Sequence, residues 1–189
     1  ACKFLGRNAA TQRIISCHIG TGGASVCAIE NGKSINSSMG FTPLEGLIMN
    51  TRCGDLDMGV VFYIMFQENF TPDQIDEVLN KKSGVLGIFN DSSDLRDVAK
   101  NMGRDPKAKM VFDMYVRRVK KYIGYYSLLL KKADIVIFTD SLGAGLPVLR
   151  EHIINGFEFL GMKIDPVKNT GYSSGISDIS DQKSSSRIL

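Results

Sequence analysis

The alternation of apolar and polar positions over the first forty residues predicts three short strands. Residues 14–19 form a β-rich run, and residues 24–30 form a second one after a glycine-rich turn. Asn31-Gly32 is a two-residue hairpin signal, because both positions tolerate positive φ angles. Residues 33–37 give the third strand, so we expect the chain to open with an antiparallel meander.

The apolar positions then recur with the 3.6-residue period that is typical of helices. Residues 58–69 are predicted to be helical. Thr71-Pro72-Asp73-Gln74 is a helix start with Thr as N-cap, Pro at the first position and Gln in the capping-box place. Asp105-Pro106 begins the longest predicted helix. Its apolar stripe comprises Ala108, Val111, Phe112, Tyr115, Val119, Tyr122, Ile123, Tyr126 and Leu129.

The last third of the chain returns to a strand pattern. Residues 134–139 are a continuous apolar run bounded by polar residues, which predicts a buried strand. After it we expect a turn at Gly143 and Gly145, a helix over 146–155, a loop over 165–186 and a strand from 187.

This order of elements is that of an α/β, ribonuclease-H-like domain with a mixed sheet. The helices of residues 58–132 form a large helical insertion, while residues 40–57 are an irregular stretch long enough to suggest a functional loop. The 189 residues suffice for one sizeable core, so we treat 1–189 as a single domain. The chain does not begin with Met and stops as a strand begins, so we expect it to be a fragment.

Composition narrows the functional classes. No apolar run reaches about 18 residues, so we predict no membrane span. A net charge of +3 without a concentrated patch predicts no nucleic-acid partner. The basic cluster at Arg117-Arg118 and Lys120-Lys121 is either a solvated helix face or a polyanion site.

The four cysteines, Cys2, Cys17, Cys27 and Cys53, have no CxxC spacing, and only two histidines could join them in a zinc site. We interpret them as reduced, mostly buried residues of a cytoplasmic protein, with a structural disulfide as the alternative.

Three short segments carry candidate chemistry. Gly20-Thr21-Gly22-Gly23 is either a simple hairpin turn or a turn whose N–H groups bind phosphate. His18 stands directly before it and is either a core residue or a catalyst. Arg52 lies in a loop and either clamps a transferring phosphoryl group or pairs with Asp55 or Asp57.

Asp94-Leu95-Arg96 follows two serines at a predicted helix start. Capping by Ser93 or Asp94 is one interpretation, and a ribose or phosphate contact is the other. Asp55 and Asp57 are candidates for metal binding or for capping the next helix.

Several segments together resemble the acetate kinase family, in matching order and spacing from about Ile14 onward. They are residues 17–23 (Cys-His-Ile-Gly-Thr-Gly-Gly), 38–46 (Ser-Met-Gly-Phe-Thr-Pro-Leu-Glu-Gly), 51–57 (Thr-Arg-Cys-Gly-Asp-Leu-Asp), 92–97 (Ser-Ser-Asp-Leu-Arg-Asp) and 121–126 (Lys-Tyr-Ile-Gly-Tyr-Tyr). The resemblance implies the actin-like kinase fold, in which two similar domains close over ATP. This chain is then the second domain, the C-terminal half of a two-domain kinase.

The resemblance also implies roles for particular residues. Arg52 stabilises the phosphoryl transition state with His18 as a second catalytic residue, and Pro43 lines the pocket for the acyl methyl group. Nucleotide contacts are implied for His18, Ile19, Gly20, Thr21, Gly22, Asp94, Leu95, Arg96, Leu142, Gly143, Ala144 and Gly145.

The implied reaction is reversible phosphorylation of acetate, or another short-chain carboxylate, by ATP with Mg²⁺, in a homodimer formed through this domain. The resemblance implies that most of the family's magnesium-binding carboxylates lie in segments that this chain lacks, so we assign no metal ligand and expect the isolated chain to be inactive. Propionate kinase, and a catalytically incompetent domain for nucleotide binding or dimerisation, are the alternatives.

This sequence departs from the family pattern in the nucleotide segments. Thr21 replaces an Asn of the phosphate segment, and its hydroxyl can still donate a hydrogen bond. Residues 140–145 read Asp-Ser-Leu-Gly-Ala-Gly where the family has Gly-Gly-Ile-Gly-Glu-Asn. Side chains therefore replace two glycines close to the nucleotide, and we expect altered adenosine affinity or base preference.

Overall fold

The computed structural model describes residues 1–171 and 175–189, and its strands form one mixed sheet. The strands are β1 (Arg13–Ile19), β2 (Ala24–Glu30), β3 (Lys33–Ser37), β4 (Ile135–Thr139) and β5 (Arg187–Ile188). Their spatial order is β3-β2-β1-β4-β5. β4 runs parallel to both β1 and β5, and β2 runs antiparallel to β3. The predicted mixed sheet is therefore confirmed.

The predicted meander lies where the sequence pattern put it. Asn31 and Gly32 have φ angles of 53° and 79°, the positive values that the hairpin signal requires. The connection from β1 to β2 is only four residues long, and parallel strands need a crossover of a dozen residues or more. β1 and β2 are neighbours in the sheet, so they too must be antiparallel.

The stretch from β3 to β4 contains five helices, in the region predicted as a helical insertion. These are α1 (Met58–Glu68), α2 (Pro72–Lys81), α3 (Gly84–Phe89), α4 (Leu95–Asn101) and α5 (Pro106–Leu129). After β4 come α6 (Asp140–Gly143), α7 (Pro147–Ile154) and α8 (Pro166–Thr170). Short 3₁₀ helices span Ala9–Thr11 and Glu158–Leu160. None of the described helices combines the length and apolar character needed to cross a membrane.

The helix-start prediction at Thr71 is confirmed in detail. The Gln74 backbone N–H donates to Thr71 Oγ1 over 3.3 Å, and the Thr71 N–H donates to Gln74 Oε1 over 2.8 Å. This reciprocal capping box satisfies two backbone donors that a helix start otherwise leaves without partners.

The predicted stripe of α5 is largely correct but ends one residue too early. Leu129 is 41% exposed, whereas Leu130 is 1% exposed. Leu130 stands seven residues after Ile123 and four after Tyr126, so it continues the buried stripe, and Leu129 is turned away from it.

Three expectations for the remaining elements need correction. Gly143 belongs to the short helix α6 and not to a turn, because the chain enters a helix directly after β4. The predicted loop over 165–186 contains α8, started by Asp165, whose carboxylate accepts from the Val167 and Lys168 N–H groups. Part of that loop, residues 172–174, lies outside the described residues. Of the four cysteines, all free, only Cys17 is buried, and the others are partly exposed.

The chain forms two compact units. The first comprises Ala1–Gly20, Ser25–Ser37 and Val116–Leu189, and the second comprises Thr21–Ala24 and Ser38–Tyr115. The first unit holds the sheet with α6 to α8, and the second holds α1 to α4 and the start of α5. That the chain acts as one domain of a two-domain kinase stays a prediction.

A side-chain pair fastens the starts of the two central strands of the first unit. Arg13 donates from Nε to Asp134 Oδ2 and from Nη2 to Oδ1, each over 3.0 Å, and its backbone N–H also reaches Oδ2. Partial burial acts to raise the pKa of Asp134, but the hydrogen bonds and charge of Arg13 outweigh it, so this pKa lies below its ordinary value. The pair therefore favours the folded state while Asp134 is ionised.

Asp134→Asn is expected to lower the free energy of unfolding by about 1–2 kcal/mol at pH 7, because a partly buried, charge-assisted pair is lost. In the unaltered protein this contribution is complete above the unfolded carboxyl pKa of about 3.9 and disappears as pH falls through the lower folded value. Urea unfolding at pH 7 and pH 3 measures both effects. As a control, Asp113→Asn breaks the exposed pair with Lys109 and should cost under about 0.5 kcal/mol. Equal costs for the two substitutions would contradict the assignment.

Candidate functional site

The first unit gathers candidate residues at the carboxyl ends of its parallel strands β1 and β4. The strand register pairs His18 with Thr139. The His18 Nδ1 atom lies 3.1 Å from Thr139 Oγ1, and its Nε2 atom lies 3.2 Å from Asp140 Oδ2. Both ring nitrogens therefore have partners, although the ring itself is largely exposed. The carboxyl edge of a parallel strand pair is where open α/β sheets bind ligands.

Asp140 takes an unusual backbone conformation for a residue with a side chain. Its φ angle is +69°, in the left-handed region that costs roughly 1–2 kcal/mol for an L residue other than glycine. Its Oδ1 atom accepts from the Ser141 N–H over 2.5 Å, while Oδ2 faces His18. The sequence marked Asp140 as a departure from the family pattern, but its contact with His18 was missed. Only the strand register brings these two residues together.

The predicted nucleotide segment, Leu142 to Gly145, packs directly against the end of β1. Leu142 and Gly143 are buried, Ala144 is partly exposed and Gly145 is exposed. A Cβ atom built on Gly143 would lie 3.5 Å from Ile19 Cβ and 3.6 Å from the Cys17 carbonyl oxygen. The start of the segment thus fits closely against the strand that carries His18.

Arg150 of α7 holds this segment in place. Arg150 is only 2% exposed, so it is almost fully buried. Nη1 donates to the Gly143 carbonyl over 2.9 Å and also to the Ala144 carbonyl, while Nε and Nη2 donate to Asn169 Oδ1 and its carbonyl over 2.8 and 2.9 Å. The sequence analysis missed Arg150, because nothing in the helical pattern of 146–155 separates a buried arginine from a solvated one.

A cavity of about 460 Å³ opens beside the same segment. Its lining includes Phe138, Thr139, Asp140, Gly143 and Ala144. The volume lies within the roughly 300–1,000 Å³ that is typical of small-molecule sites. The first unit therefore combines a cavity, an exposed imidazole and a segment at the end of α6 that is held by several hydrogen bonds.

In the second unit, Arg52 has no carboxylate partner among the described residues. Its Nη1 atom contacts Met49 Sδ at 3.4 Å. Asp55 instead accepts from the Gly46 N–H over 2.9 Å, and Asp57 caps α1 by accepting from the Gly59 N–H over 2.7 Å. The alternative in which Arg52 pairs with one of these aspartates is wrong, and capping is confirmed for Asp57 but not for Asp55.

Gly23, the last residue of the glycine turn, lies next to Arg52 within the second unit. A Cβ atom built on Gly23 would come 3.5 Å from Arg52 Nη1, so the guanidinium rests against the turn. Gly22 is exposed, and Thr21 is partly exposed. Backbone N–H groups of a turn and a guanidinium are donors of the kind that bind phosphate.

Asp94 and Arg96 are engaged with each other. Asp94 caps α4 by accepting from the Arg96 N–H over 2.9 Å, and its carboxylate also binds the Arg96 guanidinium. These hydrogen bonds, the side-chain ones first, hold the pKa of Asp94 below its ordinary value. The capping interpretation is confirmed, Leu95 lies in the core, and the nucleotide contacts of all three stay predictions.

Two questions about the site remain: the position of Pro43 and the presence of metal ligands. Pro43 lies exposed in the irregular segment that precedes α1. Within residues 1–171 and 175–189, no group of three or more His, Cys, Asp and Glu side chains could hold a metal ion.

Comparison with known proteins gives one consistent family. A model described as the acetokinase family matches residues 1–189. The acetate kinase of Dictyoglomus thermophilum is 50% identical over 168 residues, which are 88% of this chain and 42% of that protein. The acetate kinase of Heliobacterium modesticaldum is 43% identical over 190 residues, 100% of this chain and 47% of that protein. The chain thus spans less than half the length of these relatives.

Solved structures agree with the fold. Porphyromonas gingivalis acetate kinase superposes with a TM-score of 0.94 at 39% identity, covering 99% of this chain and 47% of that one. A propionate kinase from Francisella tularensis superposes with a TM-score of 0.89 at 34% identity, covering 100% and 47%. The predicted α/β kinase fold and the family resemblance are both confirmed.

Arg150→Met is expected to lower the free energy of unfolding by about 3 kcal/mol, because it leaves buried carbonyl oxygens without their donors. Arg150→Lys should fall short of full recovery, since an ammonium group cannot reach all the acceptors of a planar guanidinium. Denaturant unfolding measures both. Arg104→Met, at an exposed arginine, is the matched control and should change stability by under about 0.5 kcal/mol. A similar cost at both positions would show that the buried hydrogen bonds contribute little.

Proposed function

This chain belongs to the acetokinase family, a family of kinases, and we propose that the whole protein transfers a phosphoryl group reversibly from ATP to acetate. The observation that carries the proposal is the identity of 43–50% to acetate kinases over 88–100% of the chain. The chain covers 42% and 47% of these two relatives, and the proposal concerns the reaction of the whole protein.

The chemistry asks for charge and positioning rather than a covalent group. In the forward direction an acetate oxygen forms a bond to the γ-phosphorus of ATP, and the bond to the bridging oxygen of ADP breaks in line. Negative charge spreads over the equatorial oxygens in the transition state. A guanidinium offers planar paired donors for such oxygens, and we assign this role to Arg52.

The absence of a carboxylate partner supports this role for Arg52. A paired arginine would have to break its ion pair before it met a phosphoryl group. Among the residues that the structure describes, the Arg52 guanidinium hydrogen-bonds to the weak acceptor Met49 Sδ and to no carboxylate, so most of its donors remain available. We assign the acyl methyl pocket to Pro43 by family pattern alone.

We assign nucleotide binding to the remaining predicted residues. We propose phosphate contacts for His18 and for the turn Gly20 to Gly22, with Ile19 beside them. Adenosine is assigned to the segment Leu142 to Gly145, which the Arg150 hydrogen bonds and the adjoining cavity support. We propose further nucleotide contacts for Asp94, Leu95 and Arg96. The ion pair between Asp94 and Arg96 would have to open for these two side chains to bind the nucleotide.

Asp140 changes the expected behaviour of His18. Its carboxylate lies 3.2 Å from His18 Nε2 and adds a negative charge beside the imidazole. Asp140 would therefore oppose the binding of a phosphate group at His18. This supports the expectation that nucleotide affinity or base preference differs from the family pattern.

Mg²⁺ is proposed as the ion that accompanies ATP, because magnesium is commonly bound through substrate phosphates and one or two carboxylates. The described residues offer no ready metal cluster, so we derive no step through the ion. We also propose a cytoplasmic location, which the four free cysteines support, and no nucleic-acid partner. The isolated chain is proposed to be inactive.

The test of function is the trapping of acyl phosphate with hydroxylamine by the full-length protein. ATP and Mg²⁺ are supplied with acetate, propionate or butyrate in turn, and GTP replaces ATP in a second series. Product with acetate is expected. A higher kcat/KM for propionate would favour the second candidate, propionate kinase, which the Francisella tularensis structure supports. No product under any combination would leave a domain that binds or assembles without turnover.

Arg52→Ala is expected to reduce kcat by about 10²–10³-fold, the usual effect of removing one donor to a developing oxyanion. The KM for ATP should change far less, because the interaction forms mainly in the transition state. Steady-state kinetics of the full-length protein measures the two constants. Arg117→Ala, at an exposed arginine of α5, is the control and should leave both unchanged. Equal losses in kcat and in nucleotide affinity would make Arg52 a ground-state contact.

The helix α1 supports a proposed homodimer. None of its residues is buried, although nine of its eleven positions are apolar or glycine and Glu68 is the only charged one. Large side chains are exposed along it, including Phe62, Tyr63 and Phe66, the last at 78%. An uncharged apolar face of this kind marks an interaction site. A second copy presents the same uncharged face, which makes a self-complementary contact possible.

Phe62→Asp combined with Phe66→Asp is expected to convert the dimer to a monomer, because two charges would be buried without partners. Analytical ultracentrifugation of the full-length protein measures the change. Phe159→Asp, at an exposed phenylalanine outside α1, is the control and should leave a dimer. A dimer that survives both α1 substitutions would rule out this face, and a monomeric unaltered protein would contradict the dimer itself.

A further inference from the structure

The loop that carries Arg52 is fastened to the start of α3 by backbone hydrogen bonds. The carbonyl of Met49 accepts from the Val85 N–H over 2.9 Å, and the carbonyl of Asn50 accepts from the Leu86 N–H over 2.8 Å. The first N–H groups of a helix have no partners within the helix. No side chain supplies one here, since Ser83 at the N-cap makes no such bond. The loop itself therefore caps α3.

Further bonds hold the loop on both sides of Arg52. The Ser83 N–H donates to the Thr51 carbonyl over 3.0 Å, and the hydroxyl of Thr51 donates to the Asn80 carbonyl over 2.8 Å. The Cys53 N–H donates to the Leu79 carbonyl over 3.0 Å. The backbone of the loop is thus tied to the end of α2 as well as to the start of α3. The Arg52 guanidinium, by contrast, hydrogen-bonds only to Met49 Sδ within the part of the chain that the structure describes.

Gly84 is the residue at which the loop and α3 approach most closely. A Cβ atom built there would lie 2.2 Å from the Met49 carbonyl oxygen, and 2.7 and 3.0 Å from the Arg52 carbonyl oxygen and nitrogen. Cβ atoms are essentially never found under 3.0 Å from such atoms, and all three belong to backbone that cannot swing aside. The φ angle of Gly84 is also +64°, which L residues rarely adopt.

We propose that Gly84 is a positioning residue for Arg52: its missing side chain lets the loop dock on α3 and so fixes where the guanidinium stands. The proposal rests on the proposed function, because it concerns the residue to which we assign the phosphoryl group. Any side chain at Gly84 would force the loop backbone at Met49 and Arg52 and the start of α3 to move apart. Misplacement of a catalytic group by about 1 Å can cost about 10²-fold in rate.

The test uses Gly84→Ala in the full-length protein, with acetyl phosphate formation as the assay. We expect kcat to fall about 10- to 100-fold, while the KM for ATP stays within about twofold. Gly6→Ala is the matched control. Gly6 has a φ angle of +63°, almost equal to that of Gly84, but a Cβ there would meet nothing within 4 Å. It carries the same backbone strain without the close approach, and its kcat should not change.

A double-mutant cycle with Arg52→Ala separates positioning from general damage. If Gly84 acts through Arg52, then Gly84→Ala should cause little further loss once the guanidinium is gone. If the two losses multiply, Gly84 has only a structural role and the inference is overturned. If Arg52→Ala alone leaves kcat unchanged, the proposed role of Arg52 has failed instead. The two failures are therefore distinguishable.

Thr51→Val keeps the inference testable if Gly84→Ala does not fold. It removes the hydroxyl bond to Asn80 and leaves Gly84 in place. We expect a smaller loss of kcat, of about 3- to 10-fold, that again disappears in the Arg52→Ala background. An unchanged kcat, or a loss that persists in that background, would show that the attachment of the loop does not position Arg52.

Discussion

Buried backbone groups must find hydrogen-bond partners. This requirement governs the placement of the candidate residues around His18 in the first unit and around Arg52 in the second. In the first unit the parallel ladder of β1 and β4 meets this requirement, and its register sets His18 beside Thr139. Asp140 follows at once with a positive φ angle, which turns its carboxylate toward the imidazole. A shift of one residue in register would place these side chains on opposite faces of the sheet. The geometry at His18 is thus a consequence of strand pairing rather than of local sequence.

In two segments the same requirement is met by unusual partners. At the end of α6 the carbonyl groups of Gly143 and Ala144 are bound by the buried guanidinium of Arg150. The loop of Arg52 gives its carbonyls to the first N–H groups of α3. In both cases the carbonyl groups at a helix end or in a loop are held by several hydrogen bonds. Rigid placement of this kind is what phosphoryl transfer asks of a protein, because little covalent chemistry is needed.

Local signals made most of the fold predictable, and contacts distant in sequence account for what was missed. The capping box at Thr71 and the hairpin at Asn31-Gly32 involve neighbours in the chain, so the sequence alone located them. The contact of His18 with Asp140 joins residues 122 positions apart, and no local pattern encodes it. Gly84 and Arg52 are likewise separated along the chain by two helices, α1 and α2. Family resemblance, and not periodicity, singled out Arg52, and only the structure shows that neither Asp55 nor Asp57 pairs with it.

The central claim is that the guanidinium of Arg52, held by its loop, offsets charge on the transferring phosphoryl group. Chemical rescue tests it most directly. Guanidine hydrochloride is added at millimolar concentrations to the Arg52→Ala protein, and acetyl phosphate formation is followed, with methylamine as a comparison cation. The account predicts that guanidine restores part of the lost rate and that methylamine, which lacks the planar fork, restores less. A rate that guanidine leaves unchanged, or that both cations raise equally, would contradict it.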